Sequence, residues 1–204
     1  MGLISNGSTV FDAGAMASGF GGSMTFIKKL TASSSANLSF VNGSSNVVLD
    51  STYKEYVFTF NNIHHATADK YFAFNVSVDG GSNYNVAKQS SHFRAYHYES
   101  GTSAAVEYVG GDDLANGTGV QRIGQDIGTN NDDSTSGYLH LFNPSSTTFV
   151  KHFIARTANS VSTPTAQDAF TAGYINSTSA VNAVQFSVTS GNIDSGDICL
   201  YGIS

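Results

Sequence analysis

The feature that most constrains this chain is a period of two. In "YFAFNVSV" (71–78), Phe72, Phe74, Val76 and Val78 fall on one side of an extended backbone, and Ala73, Asn75 and Ser77 fall on the other. Successive side chains of a strand point to opposite faces, so the pattern predicts a half-buried strand. Asp79-Gly80-Gly81-Ser82-Asn83 follows, a turn cluster in which Gly accepts positive φ and Asp or Asn bonds its own backbone. The alternation recurs in "MTFIKKL" (24–30), "NLSFV" (37–41), "YVFTFNNI" (56–63), "HFRAYHY" (92–98) and "AAVEYV" (104–109). It continues in "GYLHLF" (137–142), "FVKHFI" (149–154), "AVQFSV" (183–188) and "DICLYGI" (197–203). No comparable stretch repeats apolar residues with a helical period. The expected fold is therefore all-β: an antiparallel β-sandwich or jelly roll of about ten short strands, with an extended N-terminal arm. Pro144 and Pro164 fall between the predicted strands, where a missing amide donor does no harm.

A chain of 204 residues suits one large all-β domain. Charged residues make up 12% of it, about half the usual ~25%, so hydroxyls and amides must wet most of its surface. Net charge is −6, and the nine Lys and Arg are scattered apart from Lys28-Lys29. No basic stripe is offered to phosphates, and nucleic acid is not an expected partner. The single cysteine, Cys199, cannot form an intrachain disulfide, and its place in "ICLYGI" predicts a buried thiol. "MGLISNGSTVF" has neither the basic start nor the apolar core of a secretory leader. No apolar run approaches ~18 residues, so no membrane insertion is expected.

Candidate chemistry is sparse. Pairing "GYLHLF" with "FVKHFI" so that Phe142 meets Phe149 sets His140 opposite Lys151 and His152 opposite Leu139, which predicts histidines on opposite faces that share no ion. His64-His65 reads as a loop pair. The loop "GTNNDDSTSG" (128–137) gathers oxygen ligands without the spacing of a calcium loop, and "GGDD" (110–113) reads as a turn. G-x-S-x-G, H-E-x-x-H and P-loop signatures are missing. No catalytic residue, metal or cofactor is expected. Ten tyrosines and no tryptophan are present. Tyr96, Tyr98 and Tyr108 are candidate contacts for a glycan, because an aromatic face suits a pyranose ring; the alternative places them at strand edges and subunit contacts.

The character of the chain changes near residue 24. "MGLISNGSTVFDAGAMASGFGGSM" carries one charge, Asp12, and shows neither a helical nor a strand pattern. This divides the chain into an arm, 1–23, and a sandwich domain, 24–204. Leu3, Ile4, Val10, Phe11, Met16 and Phe20 are too widely spaced for a core of their own and too apolar for a hydrated linker. Such segments order when a partner supplies the missing surface, which makes these six the candidate partner-binding residues.

The stretches "SGYLHLFNPSSTTFVKHF" (136–153) and "SGNIDSGDICLYGIS" (190–204), with the "GLISNG" opening and the strand "YKEYVFTFNNI" (53–63), resemble a family of small virion proteins from tailed phages, frequent in marine phage genomes. The resemblance implies a non-enzymatic virion surface component, made in the host cytoplasm, with no catalytic residues to carry over. Three functions follow from it and from the residues above. The first is a head-decoration or cement protein that docks on the capsid through its arm and stabilises it. The second is a tail fibre or receptor-binding protein contacting host surface glycans, and the third is a carbohydrate-binding module. The implied partners are further copies in a homotrimer, the major capsid protein or another virion protein, and a host glycan.

Overall fold

The computed structural model describes residues 3–5, 8–12, 15–16 and 23–204. Among these there is no helix. The opening stretch is not strandless: β1 (Leu3–Ser5), β2 (Ser8–Asp12) and β3 (Ala15–Met16) form a small antiparallel sheet of their own. Ser5 pairs with Ser8 across Asn6-Gly7, and Asn-Gly between two short runs is the sequence signal of a two-residue hairpin. The candidate arm residues Leu3, Ile4, Val10, Phe11 and Met16 lie in these strands, with the Ile4 side chain exposed. Phe20 lies outside the described residues.

Twelve further strands follow: β4 (Met24–Thr31), β5 (Asn37–Val41), β6 (Glu55–His65), β7 (Lys70–Ser77), β8 (Lys88–Tyr98), β9 (Ala104–Tyr108), β10 (Gln121–Ile127), β11 (Thr135–Phe142), β12 (Lys151–Val161), β13 (Thr165–Ile175), β14 (Ala183–Val188) and β15 (Ile193–Ile203). Every pairing is antiparallel, and the strands make the expected β-sandwich. One layer runs β4-β15-β6-β11-β12-β13-β8-β9, and the other runs β10-β7-β14-β5. The layers join through the pair Ile127↔Val161 at one corner and the bridge Ser35↔Ile193 at another.

Where β5, β14 and β7 face β15, β6, β11 and β12, the alternation delivers a phenylalanine core. Phe40 meets Phe58 at 5.3 Å, Phe60 meets Phe72 at 5.0 Å, and Phe74 meets Phe153 at 5.1 Å, all edge to face across the layers. Phe186 sits among them, 5.2 Å from both Phe58 and Phe60. Such pairs each add about 0.5–1.5 kcal/mol beyond the area they bury.

Three expectations change. Strand β7 is buried on both faces rather than one, because Asn75 and Ser77 hold the following segment over it. Asn75 donates to the Tyr84 and Thr118 carbonyls at 2.6 and 3.3 Å, and Ser77 Oγ accepts from the amides of Asp79 and Gly81. Strands β10 and β13 were not among the predicted ten, because neither alternates apolar with polar residues. The β11–β12 register is shifted by three: His140 faces Ile154, and Leu141 faces Phe153. Phe149 belongs to the connection, where its amide donates to Ser146 Oγ, so the hairpin loop runs from 143 to 150. An odd shift reverses facing, and both His140 and His152 lie on the outer face.

Candidate functional site

Strands β12, β13, β8 and β9 form a wing whose inner face is polar. Thr157 and Asn159 on β12, Gln167 and Thr171 on β13, and Ser90 and His92 on β8 are all buried, each at an inward position. Most of their polar atoms pair with one another, with β10 beneath or, for Ser90, with the Leu114 amide, while His92 Nε2 has no partner among the described residues. Thr157 Oγ1 donates to the Ile123 carbonyl, Thr135 Oγ1 to Asn159 Oδ1 at 2.9 Å, and Asn159 Nδ2 to Gln167 Oε1 at 3.1 Å. His92 Nδ1 lies 2.8 Å from Thr171 Oγ1, and burial holds its pKa below the ordinary histidine value. Gly124 lets these groups pack closely, since a Cβ would stand 3.0 Å from Asn159 Oδ1 and 3.3 Å from the Phe72 side chain, and its neighbours would have to give way.

The register of β10 against β7 slips between Gly124 and Ile127, and Asp126 adopts φ +50°. A bulge re-aims the side chains it carries, and here Asp126 turns toward the wing. Arg94 on β8 is the hub of the resulting cluster. It donates through Nε to Glu107 Oε1 at 2.7 Å and through Nη1 to Gln125 Oε1 at 3.0 Å, with Asp126 Oδ2 at 3.7 Å. Its guanidinium lies 5.3 Å from the Tyr96 ring centre, and the Tyr96 and Tyr98 rings are 5.6 Å apart, tilted by 36°.

These groups line a cleft of about 280 Å³ together with Asp69, Ser162, Thr165 and Gln167. Asp69, at φ +59°, accepts a hydrogen bond from Ser162 Oγ. Thr165 is 4% exposed, faces inward, and its Oγ1 has no hydrogen-bond partner among the described residues. The hydroxyl-rich wing therefore presents, at one place, two aromatic rings, a clamped guanidinium and three carboxylates, with the unpaired Thr165 hydroxyl buried in the wall beside them.

The outer face of the same wing is different. The register aligns Tyr108, Phe93, Phe170, Arg156 and Tyr138 in one row from β9 to β11. Phe93 stacks on Phe170 at 4.7 Å, and Arg156 lies 4.8 Å above Phe170 while its fork is held by Asp168 at 2.6–3.2 Å. Val106 is 75% exposed, Tyr108 60%, Ile154 48% and Phe93 42%. Beside this band runs an open groove of about 750 Å³, floored by Ala95, Ser136, Gly137, Ala158 and Ala166 and walled by Tyr138 and the Arg156–Asp168 pair. Strand β9 pairs only with β8, and its outer edge carries no lysine or proline. The opposite edge, β4, carries Lys28 and Lys29.

The predicted tyrosine trio is split. Tyr96 and Tyr98 share the cleft, whereas Tyr108 stands on the outer face with its hydroxyl on Asp113. His64 and His65 end strand β6 rather than forming a loop. His64 bonds Asp194 Oδ2 at 3.2 Å, while His65 is fully buried without a partner among the described residues, and its pKa falls to about 4 through desolvation. In the 128–137 loop, the Asp133 carboxylate is engaged by the amide and side chain of Asn130 at 3.1 and 3.0 Å. Asp112 of "GGDD" is buried on Arg122 at 2.7 Å. No cluster of three His, Cys, Asp or Glu placed to hold a metal occurs among the described residues. Cys199 is buried.

Nothing in the sequence marks Arg94, Glu107, Asp126, Asp69 or Thr165 as neighbours, because they come from five separate segments. The one available signal was "QRIGQDI" (121–127), a polar strand interrupted by Gly124. Compared with protein-family models, curated proteins and solved structures, the chain matches none.

Proposed function

We propose that this chain is a non-enzymatic structural protein of a virion surface, a head-decoration protein that stabilises the capsid. Residues 1–23 dock on the capsid, and copies of the chain meet through the outer face of the wing. The observation that carries the reading is the uncovered band of Tyr108, Val106, Phe93 and Ile154. A contiguous exposed apolar surface marks an interaction site, and aromatic residues and Arg are enriched at interfaces. Along the row, Arg156 and Asp168 neutralise each other, and the Asp113 carboxylate at its end accepts from the Tyr108 hydroxyl. The unguarded β9 edge adds backbone donors and acceptors that a neighbouring copy covers. The resemblance of 136–153 and 190–204 to phage virion proteins points the same way.

Particles assembled without the chain are expected to lose resistance to heat and salt. Unchanged resistance with normal infectivity overturns the reading. Tail placement is the second reading, favoured by the cleft at Tyr96 and Tyr98. Copy number separates the two: on the order of hundreds per particle for decoration, and tens or fewer for a tail part.

A further inference from the structure

We propose that the cleft between β8, β13 and the β10 bulge binds a single pyranose unit, with aminated sugars preferred over neutral ones and acidic sugars rejected. The inference rests on the inner face of the wing alone and holds for a head or a tail location.

Shape and size come first. Tyr96 and Tyr98 form a shallow V, 5.6 Å between ring centres and tilted by 36°. Arg94 lies over the Tyr96 ring, so the guanidinium fixes that ring and one aromatic face is already occupied. The C–H face of a pyranose packs on the aromatic surface that remains, and its hydroxyls point to the polar walls. A cleft of about 280 Å³ lies just below the ~300–1,000 Å³ of sites for drug-sized ligands, which suits one ring and not an oligomer.

Charge selects the substituent. Asp69, Glu107 and Asp126 face a single cation, Arg94, leaving two negative charges in excess. Glu107 is committed to Arg94 at 2.6 Å, while Asp126 stands at 3.7 Å. Asp126 is therefore the carboxylate with capacity to accept from a ligand ammonium or hydroxyl. A uronate or sialate carboxylate placed there meets like charge, and repulsion of this kind sets specificity.

Thr165 supplies the independent sign of a ligand. Its hydroxyl is buried, lies on the inward side of β13 and makes no hydrogen bond among the described residues. A buried polar group left unpaired is costly, and a ligand hydroxyl that displaces the cleft wall slightly would satisfy it. Because the carboxylates are placed by a bulge and by two left-handed aspartates, Asp69 and Asp126, the arrangement exists before the ligand arrives.

The test titrates the full chain with glucosamine, galactosamine, glucose, galactose, glucuronate and galacturonate, following amide chemical shifts. Millimolar binding of at least one hexosamine is expected, several-fold weaker binding of its neutral counterpart, and none of the uronates. Tyr98→Ala is expected to weaken hexosamine binding about 3- to 10-fold. Thr165→Val, which keeps the side-chain shape, is expected to weaken it about 3- to 10-fold without lowering the melting temperature. Asp126→Asn tolerates the same left-handed backbone and is expected to abolish the preference for the amino sugar. Failure of all six sugars at about 50 mM, a uronate bound as tightly as a hexosamine, or full binding by Thr165→Val and Asp126→Asn would each overturn the proposal.

Discussion

The two halves of this sandwich share a strand geometry and differ in what they enclose. Between β5-β14-β7 and β15-β6-β11, inward positions are Phe40, Phe186, Phe72, Phe74, Leu200, Phe58, Phe60 and Leu141, all buried. Between β10 and the wing most are polar, Ser90, His92, Gln121, Gln125, Thr157, Asn159, Gln167 and Thr171, all buried, with Ile123, Ala155 and Ala169 among them. Burying apolar area stabilises by roughly 25 cal/mol per Å², whereas a buried hydrogen bond contributes a net ~0.5–1.5 kcal/mol and leaves a penalty wherever a partner is missing. Among the described residues, missing partners occur in the second half at His92 Nε2, Gln121 Oε1, Asp112 Oδ2 and Thr165 Oγ1, and in the first only at His65, at the end of β6. The apolar half thus gains most from area burial, while the polar half depends on its hydrogen-bond network.

The largest effect should come from the apolar half. Phe186→Ala removes a ring that touches Phe40, Phe58, Phe60 and Phe72 and is expected to cost about 3–5 kcal/mol in denaturant unfolding. Gln167→Ala, on the polar side, is expected to cost about 1–3 kcal/mol, the penalty of leaving Asn159 unpaired. Equal costs would erase the distinction.

Two buried bases, His65 at the end of β6 and Lys88 at the start of β8, test the account through pH. His65 titrates near 4 in the folded chain and near 6.5 when unfolded. The unfolded state takes the proton first, so stability is complete above pH 6.5 and falls by about 3 kcal/mol as pH drops to 4. His65→Leu should remove that part of the acid sensitivity, as seen in urea midpoints across the range. Lys88 is fully buried on Asn75 Oδ1 at 2.6 Å and the Val86 carbonyl at 2.9 Å, and desolvation lowers its pKa from 10.5 to about 8. The unfolded state again holds the proton more tightly, so stability rises with pH between 8 and 10.5, by up to about 3 kcal/mol. Lys88→Met should flatten that rise. A wild type whose stability is level from pH 8 to 10 would show that Lys88 is solvated. The smallest stability effects belong to the outer face: Phe93→Ser, which breaks the stack on Phe170, is expected to cost about 0.5–1.5 kcal/mol, and Val106→Ser to stay within about 0.5 kcal/mol of wild type.

The same contrast explains what the sequence made legible. Strands β5 and β14 coincide with "NLSFV" and "AVQFSV", because their inward residues are apolar and their outward residues polar. In β13, "TAQDAFTAGYI", the buried positions are Thr165, Gln167, Ala169, Thr171 and, at its end, Ile175, while Phe170 points outward. Period-two reading sees no strand where the inside is polar and the outside is not. The hairpin register at His140 was misjudged because Phe149 looked like a strand residue and is an exposed loop residue. Tyr96 and Tyr98 were visible as a pair two residues apart. Their partners Arg94, Asp126 and Thr165 meet only through the β10 bulge and the pairing of β13 with β8, which no local pattern encodes.

Sedimentation equilibrium of the purified chain tests the central claim, that the outer face of the wing is an assembly surface. The wild type is expected at roughly three times its 21.4 kDa chain mass, and the Phe93→Ser/Val106→Ser double variant at the monomer mass with an unchanged circular-dichroism spectrum. A wild type that sediments as a monomer, or a double variant that assembles as fully as the wild type, would contradict it.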